Sequence, residues 1–301
     1  MEDSVKSPVT GTNQVERVDQ FPVQSIIDSY HRFGLNVHRF FDGLENVSLF
    51  ECKQTGYRFY HPNSILGDAE FYKELQEKDK NYYPIDKWEY DFALDFIKVK
   101  DKVLEVGCGE GHFLLKCKKK GAVIFGLEFN PGAIKKLKEK KIDVTNETIN
   151  EFSKYHHNEY DVVCAFQVLE HIDEVSNFIT DCLQCLKPGG ILIFGVPNSN
   201  PFIYKYDRLH TLNLPPHHAG LWNKVSLEKM AIFLSIQLVK IKISPLEHYK
   251  DWFRIQKDVW KRENALYSFL DLIPRPIYKL FLHLFRNKIE GKTIVAVYRK
   301  G

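Results

Sequence analysis

Three glycines at alternate positions, Gly107, Gly109 and Gly111, follow the apolar run Val103-Leu104-Glu105-Val106 and precede a helical stretch. Glycine lets a backbone turn tightly and approach a ligand at distances where a Cβ would collide. The carboxylate of Glu105, at the end of the strand pattern, suits a cationic group such as an α-amino group and is badly placed for a pyrophosphate. A dinucleotide fingerprint, G-x-G-x-x-G, would need its third glycine where this chain has His112. Glu128 closes the next apolar run, about 20 residues beyond the glycines, the interval at which a carboxylate accepts both hydroxyls of a ribose. The pair favours an adenosine ligand.

A second group of reactive side chains lies between Asn198 and Trp222: Tyr204, Tyr206, His210, the run Pro215-Pro216-His217-His218, and Trp222. Histidine takes up protons near neutral pH, so His218, and after it His217, are candidates for a general base. Alternatively they are polar loop residues packed by the prolines. A metal site built from His210, His217 and His218 is not expected, because no neighbouring carboxylate pattern completes a ligand set.

These residues need a frame of strands and helices. From Lys102 onward short apolar runs alternate with charged helical stretches, the pattern of βαβ units and a parallel sheet. Seven strands are expected, at Lys102 to Val106, Val123 to Glu128, Ile142 to Thr145, Tyr160 to Phe166, Ile191 to Val196, Leu238 to Ile243 and Thr293 to Tyr298. Helices fall between them at Gly111 to Lys120, Pro131 to Lys140 and Val175 to Leu186. An aromatic-rich helical insertion, 251–287, precedes the last strand and is interrupted by Pro274 and Pro276.

Upstream, residues 1–20 are polar, lack aromatics and carry Pro8 and Gly11, so a loose tail is expected. An extension over 21–84 should hold an amphipathic helix weakened at Gly34, a hairpin from Ser48–Lys53 and Tyr57–His61, and a helix near 68–79. Another helix near 85–98 opens the main domain, 85–301.

In this order and at these intervals the motifs resemble the class I S-adenosylmethionine (SAM)-dependent methyltransferases: E-x-G-x-G-x-G, an acid closing the second strand, D-V-V-x-x-x-x-V-L-E-H at the fourth and L-K-P-G-G before the fifth, across roughly residues 85–245. The resemblance implies a Rossmann-like α/β fold with a seven-stranded, mostly parallel sheet whose last strand is antiparallel. It implies that Glu105 orients the loop and the methionine end of SAM, above a bed shaped by Gly107, Gly109 and Gly111. Glu128 would hold the ribose, Phe129 lie along the adenosine, Glu147 and Thr148 read the adenine edge, and Gln167 cap the methionine moiety. Each has a plainer alternative: Phe129 in the core, Glu147 as a helix-start acid, Gln167 as a solvated loop residue. Val168-Leu169-Glu170-His171 is similar to the branch containing O-methyltransferases of quinone biosynthesis, and the flanking Glu51-Cys52, Phe71-Tyr72 and Lys87-Trp88-Glu89 are loosely similar to bacterial relatives associated with surface-glycan genes. Such relatives can carry a paired-cysteine zinc knuckle. Only Cys52 stands there, so no structural zinc is expected.

The reading is therefore methyl transfer to a small-molecule or glycan-type acceptor, probed against two rivals, a nicotinamide-dependent oxidoreductase and a noncatalytic SAM-binding scaffold. A formal charge of +3 is too small and interspersed for a nucleic-acid track, and strand four lacks a D/N-P-P-Y/F/W motif. No run is apolar for the ~18–20 residues that cross a bilayer, and no secretory leader is visible, so a cytosolic address with reduced cysteines is expected. Residues 276–292 place Leu280, Phe281, Leu284, Phe285 and Ile289 on one helical face among basic residues. That face could pack internally or rest on an anionic membrane carrying a lipid-linked acceptor.

Overall fold

A computed structural model of the chain describes residues 5–78, 85–199, 208–246, 252–253, 257–258, 262 and 272–301. Its centre is a seven-stranded sheet built from β4 (Lys102–Val106), β5 (Val123–Leu127), β6 (Val144–Thr145), β7 (Tyr160–Phe166), β8 (Leu186–Pro197), β10 (Gln237–Pro245) and β11 (Glu290–Arg299). The spatial order is β10-β11-β8-β7-β4-β5-β6. The pairs from β8 to β6 are parallel, and β11 runs antiparallel to both β8 and β10. This is the expected Rossmann-like arrangement.

The near-continuous apolar character of these strands follows from burial on both faces. Along β4, Leu104 and Val106 enter one core with Val163, Ala165, Leu192 and Phe194, whereas Val103 enters a second core with Val162, Cys164 and Ile193. Helices cover the two faces: α3 (Trp88–Leu94), α4 (His112–Lys119), α5 (Pro131–Glu139), α6 (Ile149–Ser153), α7 (Val175–Cys185) and α8 (Lys224–Phe233). Asn130 caps α5, its side chain accepting from the N–H groups of Gly132 and Ala133 at 2.8 and 3.3 Å, with Pro131 in the first turn. All six cysteines are buried free thiols, and Cys182 and Cys185 of α7 lie in the first core.

The amino-terminal part departs from expectation in two ways. Residues 5–20 are ordered, where a loose tail was expected. Val5 and Val9 are buried in the main core, and the N–H of Ser176 donates to the carbonyl of Pro8 at 3.0 Å. β1 (Val15–Pro22) pairs antiparallel with β2 (Asn46–Cys52) in the register Val15↔Cys52. Two buried valines and a strand ladder thus offset the ordering entropy that composition suggested could not be met. Second, the expected hairpin belongs to a larger sheet. β3 (Arg58–His61) completes the expected hairpin with β2, and β9 (Gly220–Leu221) adds to β3, giving a four-stranded sheet β1-β2-β3-β9. The helix α1 (Val23–Phe33) stops at Gly34, whose φ of 85° allows its N–H to reach the carbonyls of the last turn. α2 (Ala69–Lys78) follows the hairpin.

In the insertion, Pro274 and Pro276 mark a helix boundary among the described residues. They start α9 (Arg275–Phe285), Pro274 preceding it and Pro276 sitting in the first turn, where a missing N–H costs nothing. Most of 251–271 lies outside the described residues, as do Tyr204 and Tyr206. Among the described residues no helix is long and apolar enough to cross a membrane.

Candidate active site

The glycine bend sits at the carboxyl end of β4, the central strand. Gly107, Gly109 and Gly111 adopt φ of 69°, 53° and 74°, all in the left-handed region that other residues avoid. The N–H groups of Gly107 and Cys108 both donate to the carbonyl of Leu127, at 2.8 and 3.0 Å, which folds the bend across the end of β5. A Cβ on Gly107 would lie 2.6 Å from Cγ2 of Val168, and one on Gly111 2.4 Å from Cδ2 of Leu137. Gly111 is the residue from which α4 departs, and His112 is its first helical residue.

Glu128, 8% exposed, fastens the bend from the neighbouring strand. Its Oε2 accepts from the N–H of Gly109 at 2.6 Å, and its Oε1 accepts from the N–H of Asn130 at 2.8 Å. Glu105 is 2% exposed, and its Oε2 has no hydrogen-bond partner. Burial lifts its carboxyl well above the usual range; Lys87 opposes that rise and Glu128 adds to it. Two buried carboxylates with one nearby lysine make a site that gains from an incoming cation.

The other predicted residues are distributed around this edge. Phe129 is 64% exposed, which removes the core alternative. Gln167 follows β7 with φ 60°, its N–H donating to the carbonyl of Gly195 at 2.7 Å and its Nε2 to Oε1 of Glu89 at 3.4 Å. Glu147 is half-buried and accepts from Oγ1 of Thr145 at 3.0 Å. Thr148 is committed elsewhere. It is the N-cap of α6 and forms a capping box with Glu151, so both its hydroxyl and its N–H are bonded within that turn.

His217 and His218 are buried and stacked, ring centroids 4.5 Å apart. The structure brings His171 to them, with centroids 4.7 Å from His217 and 5.1 Å from His218. The loop holding the pair is anchored by the N–H of Ala219 donating to the carbonyl of Glu170 at 2.8 Å and by Gly67 donating to Pro216 at 2.8 Å. Burial drives the histidines toward the neutral form: His171 to about 4, His217 to about 3, and His218 well below its ordinary value, with mutual repulsion helping for the last two. His210 adds to that repulsion. Trp222 is core, packed 4.2 Å from Tyr57.

A family model described as a methyltransferase domain matches residues 77–231, just over half of the chain. The chain belongs to the class I SAM-dependent methyltransferases. This methyltransferase is 35% identical, over 105 residues, to the ubiquinone biosynthesis O-methyltransferases of Citrobacter koseri and of Escherichia coli O139:H28. The match covers 33% of this chain and 43% and 44% of theirs, so the chain spans less than half the length of these curated relatives. A SAM-dependent methyltransferase from Archaeoglobus fulgidus has a similar fold, with a TM-score of 0.55 and 19% identity over 76% of this chain and 100% of that one.

SAM is the cofactor of this family, and two features of the chain fit that ligand: the partnerless, buried Oε2 of Glu105 and the Cβ-free bend above it. Reading the sequence by itself missed Glu89, which is 3% exposed and reaches Gln167, and the convergence of His171 on the histidine pair. Glu170-His171 stood inside a recognised motif, yet only the loop anchored at Ala219 shows what His171 meets.

Proposed function

We propose that this enzyme methylates an oxygen of a small-molecule or glycan-type acceptor, at the carboxyl edge of the central sheet. When bound, SAM supplies a methyl group on a positively charged sulfur. In this reading Glu105 receives the cationic methionine end, Gly107, Gly109 and Gly111 form the bed, and Glu128 holds the ribose. Phe129 offers its exposed ring to the adenosine, Glu147 faces the adenine side, and Gln167 closes over the methionine moiety. The Thr148 backbone could join Glu147 only by giving up its capping bond. The observation that carries the reading is the pairing of buried Glu105 with Glu128 about the glycine bend.

Direct displacement at the methyl asks the protein mainly for alignment and a dry pocket. Burial and neighbouring histidines keep His217 neutral, the form in which an imidazole can accept a proton, while making it a weaker base. His218 and His217 are assigned to the acceptor side as neutral imidazoles. The oxygen reading draws on the O-methyltransferase relatives, and the glycan class on the motif resemblance alone.

The test is methyl transfer from isotopically labelled SAM to a panel of catechols, sugar nucleotides, glycans and primary amines, with the product read by NMR. An O-methyl product supports the proposal; transfer only to nitrogen or carbon removes the oxygen assignment. Calorimetry of Gly109→Val tests the cofactor bed separately: SAM affinity should vanish, and an unchanged affinity would refute the placement.

A lipid-linked acceptor is a second reading, favoured by α9. Ile277, Leu280, Phe281 and Leu284 are each more than half exposed, and Arg275, Lys279, Arg286 and Lys288 flank them without an acidic residue between 272 and 289. An apolar face rimmed by basic groups suits an anionic bilayer surface. Sedimentation with anionic but not zwitterionic liposomes at low salt is expected, and absence of association with either would remove this reading.

A further inference from the structure

The three histidines His171, His217 and His218 come from two segments far apart in sequence, the turn after β7 and the loop before β9, and each contributes a ring nitrogen to one cluster. One such nitrogen from each lies within 4.8 Å of the other two. Two of the rings have a fixed tautomer. Nδ1 of His171 donates to the carbonyl of His217, with the Tyr72 hydroxyl 3.1 Å away, and Nδ1 of His217 donates to the carbonyl of Leu212 at 2.8 Å. Both protons therefore sit on Nδ1, and both Nε2 atoms carry the lone pair. A histidine that ligates a metal is oriented in the same way, its second nitrogen donating to a carbonyl or carboxylate.

A carboxylate stands beside the cluster. Oε1 of Glu170 is 3.8 Å from Nε2 of His171, and its Oε2 is buried with no hydrogen-bond partner. A buried carboxyl oxygen with no partner beside three clustered imidazoles is a poor arrangement for a purely structural core, where a polar group normally finds a partner. A divalent ion would satisfy both. We propose that His171, His217 and His218 form a binding site for one divalent transition-metal ion of the zinc class, with Glu170 as the adjacent charge-balancing carboxylate. Three nitrogen donors leave a tetrahedral ion one open position, and imidazoles suit zinc, cobalt, nickel and copper over magnesium or calcium. Ligand nitrogens around such an ion stand about 3.3 Å apart, given metal–nitrogen distances near 2.0–2.1 Å. The cluster therefore has to contract on loading. The site lies close to the cofactor bed: Val168, three residues before His171, is the side chain that a Cβ on Gly107 would strike. Resting on the oxygen-acceptor reading, the open position would take the acceptor oxygen; metal uptake itself does not depend on that reading.

The test uses the full chain, stripped with a chelator and titrated with cobalt(II), with zinc competing. Uptake of one cobalt per chain, with the intense visible absorption of a four- or five-coordinate ion, is expected, followed by its loss when zinc displaces it. X-ray absorption of the zinc form should show at least two imidazoles. His171→Ala and His218→Gln should each weaken uptake roughly 100-fold or more, while His38→Ala, an exposed histidine elsewhere, should leave it unchanged. SAM affinity of each variant reports whether it is folded. Failure of the wild-type chain to bind either ion, or uptake with fewer than two imidazoles, or uptake indifferent to both cluster substitutions in folded variants, would each overturn the site. A chain that binds zinc yet transfers no methyl to oxygen would leave the site standing and remove only the acceptor reading.

Discussion

The carboxylate of Glu128 accepts a hydrogen bond from the backbone N–H of Gly109 at 2.6 Å, joining the ends of two adjacent parallel strands through the bend that should carry the cofactor. Its second oxygen, held by Asn130, couples the same carboxylate to the start of α5. The group assigned to the ribose therefore also shapes the bed on which the rest of the cofactor lies.

Replacing Glu128 should consequently affect more than one contact. A hydrogen bond to a charged group contributes about 1.5–3 kcal/mol, so Glu128→Ala is expected to weaken SAM binding by roughly 10- to 100-fold, and to lower the melting temperature of the ligand-free protein. Calorimetry and thermal melts measure the two effects; an affinity within twofold of wild type would show that the carboxylate does not serve the cofactor.

Gly111→Ala should destabilise the fold directly. The new Cβ would stand 2.4 Å from Leu137 and 3.0 Å from Ile142, at a φ of 74°. Left-handed backbone costs a non-glycine residue about 1–2 kcal/mol and overpacking about 1–3 kcal/mol. A loss of roughly 2–5 kcal/mol in urea unfolding is expected from these two terms, and a loss below about 1 kcal/mol would mean that the helix start relaxes freely.

Glu105 predicts a proton linkage. Its carboxyl is raised in the folded, ligand-free protein, so the folded state keeps a proton that the unfolded chain releases near its ordinary value of 4.5. More protons on the folded state means that this group's share of stability falls as pH rises from there toward the raised value. An incoming cation favours the ionised form, so SAM binding should release a proton and tighten with pH over the same window. Calorimetry in two buffers of different ionisation enthalpy should show that release in wild type and less of it in Glu105→Gln; equal release in both would assign the linkage elsewhere.

Thr148 separates capping from recognition. Losing the capping box in Thr148→Ala should cost about 1 kcal/mol of stability, while SAM affinity changes by less than about twofold, because the hydroxyl is already bonded within the turn. A tenfold loss of affinity at unchanged stability would return Thr148 to the adenine site.

Much of the catalytic half was legible before any coordinates. Buried parallel strands announce themselves as short apolar runs, since both faces must be covered, and the glycine bend with Glu105 and Glu128 is a local feature of two neighbouring strands. The capping box of Thr148-Ile149-Asn150-Glu151 went unread, Thr148 being assigned to the adenine edge instead. The ladder Val15-Glu16-Arg17-Val18 was harder, because β1 is one-sided, bulged between Arg17 and Asp19, and polar on its open face.

Local sequence therefore determined the sheet, the bend and the chemical kind of ligand that the bend suits, because those depend on residues close in the chain or repeated at a fixed period. Tertiary structure alone decided which groups meet across long separations: Val5 and Val9 in the main core, β9 beside β3, Glu89 beside Gln167, and His171 against His217 and His218. Burial, the quantity that turns those histidines neutral and lifts Glu105, is a sum over everything packed around a side chain, and no short stretch of sequence contains it.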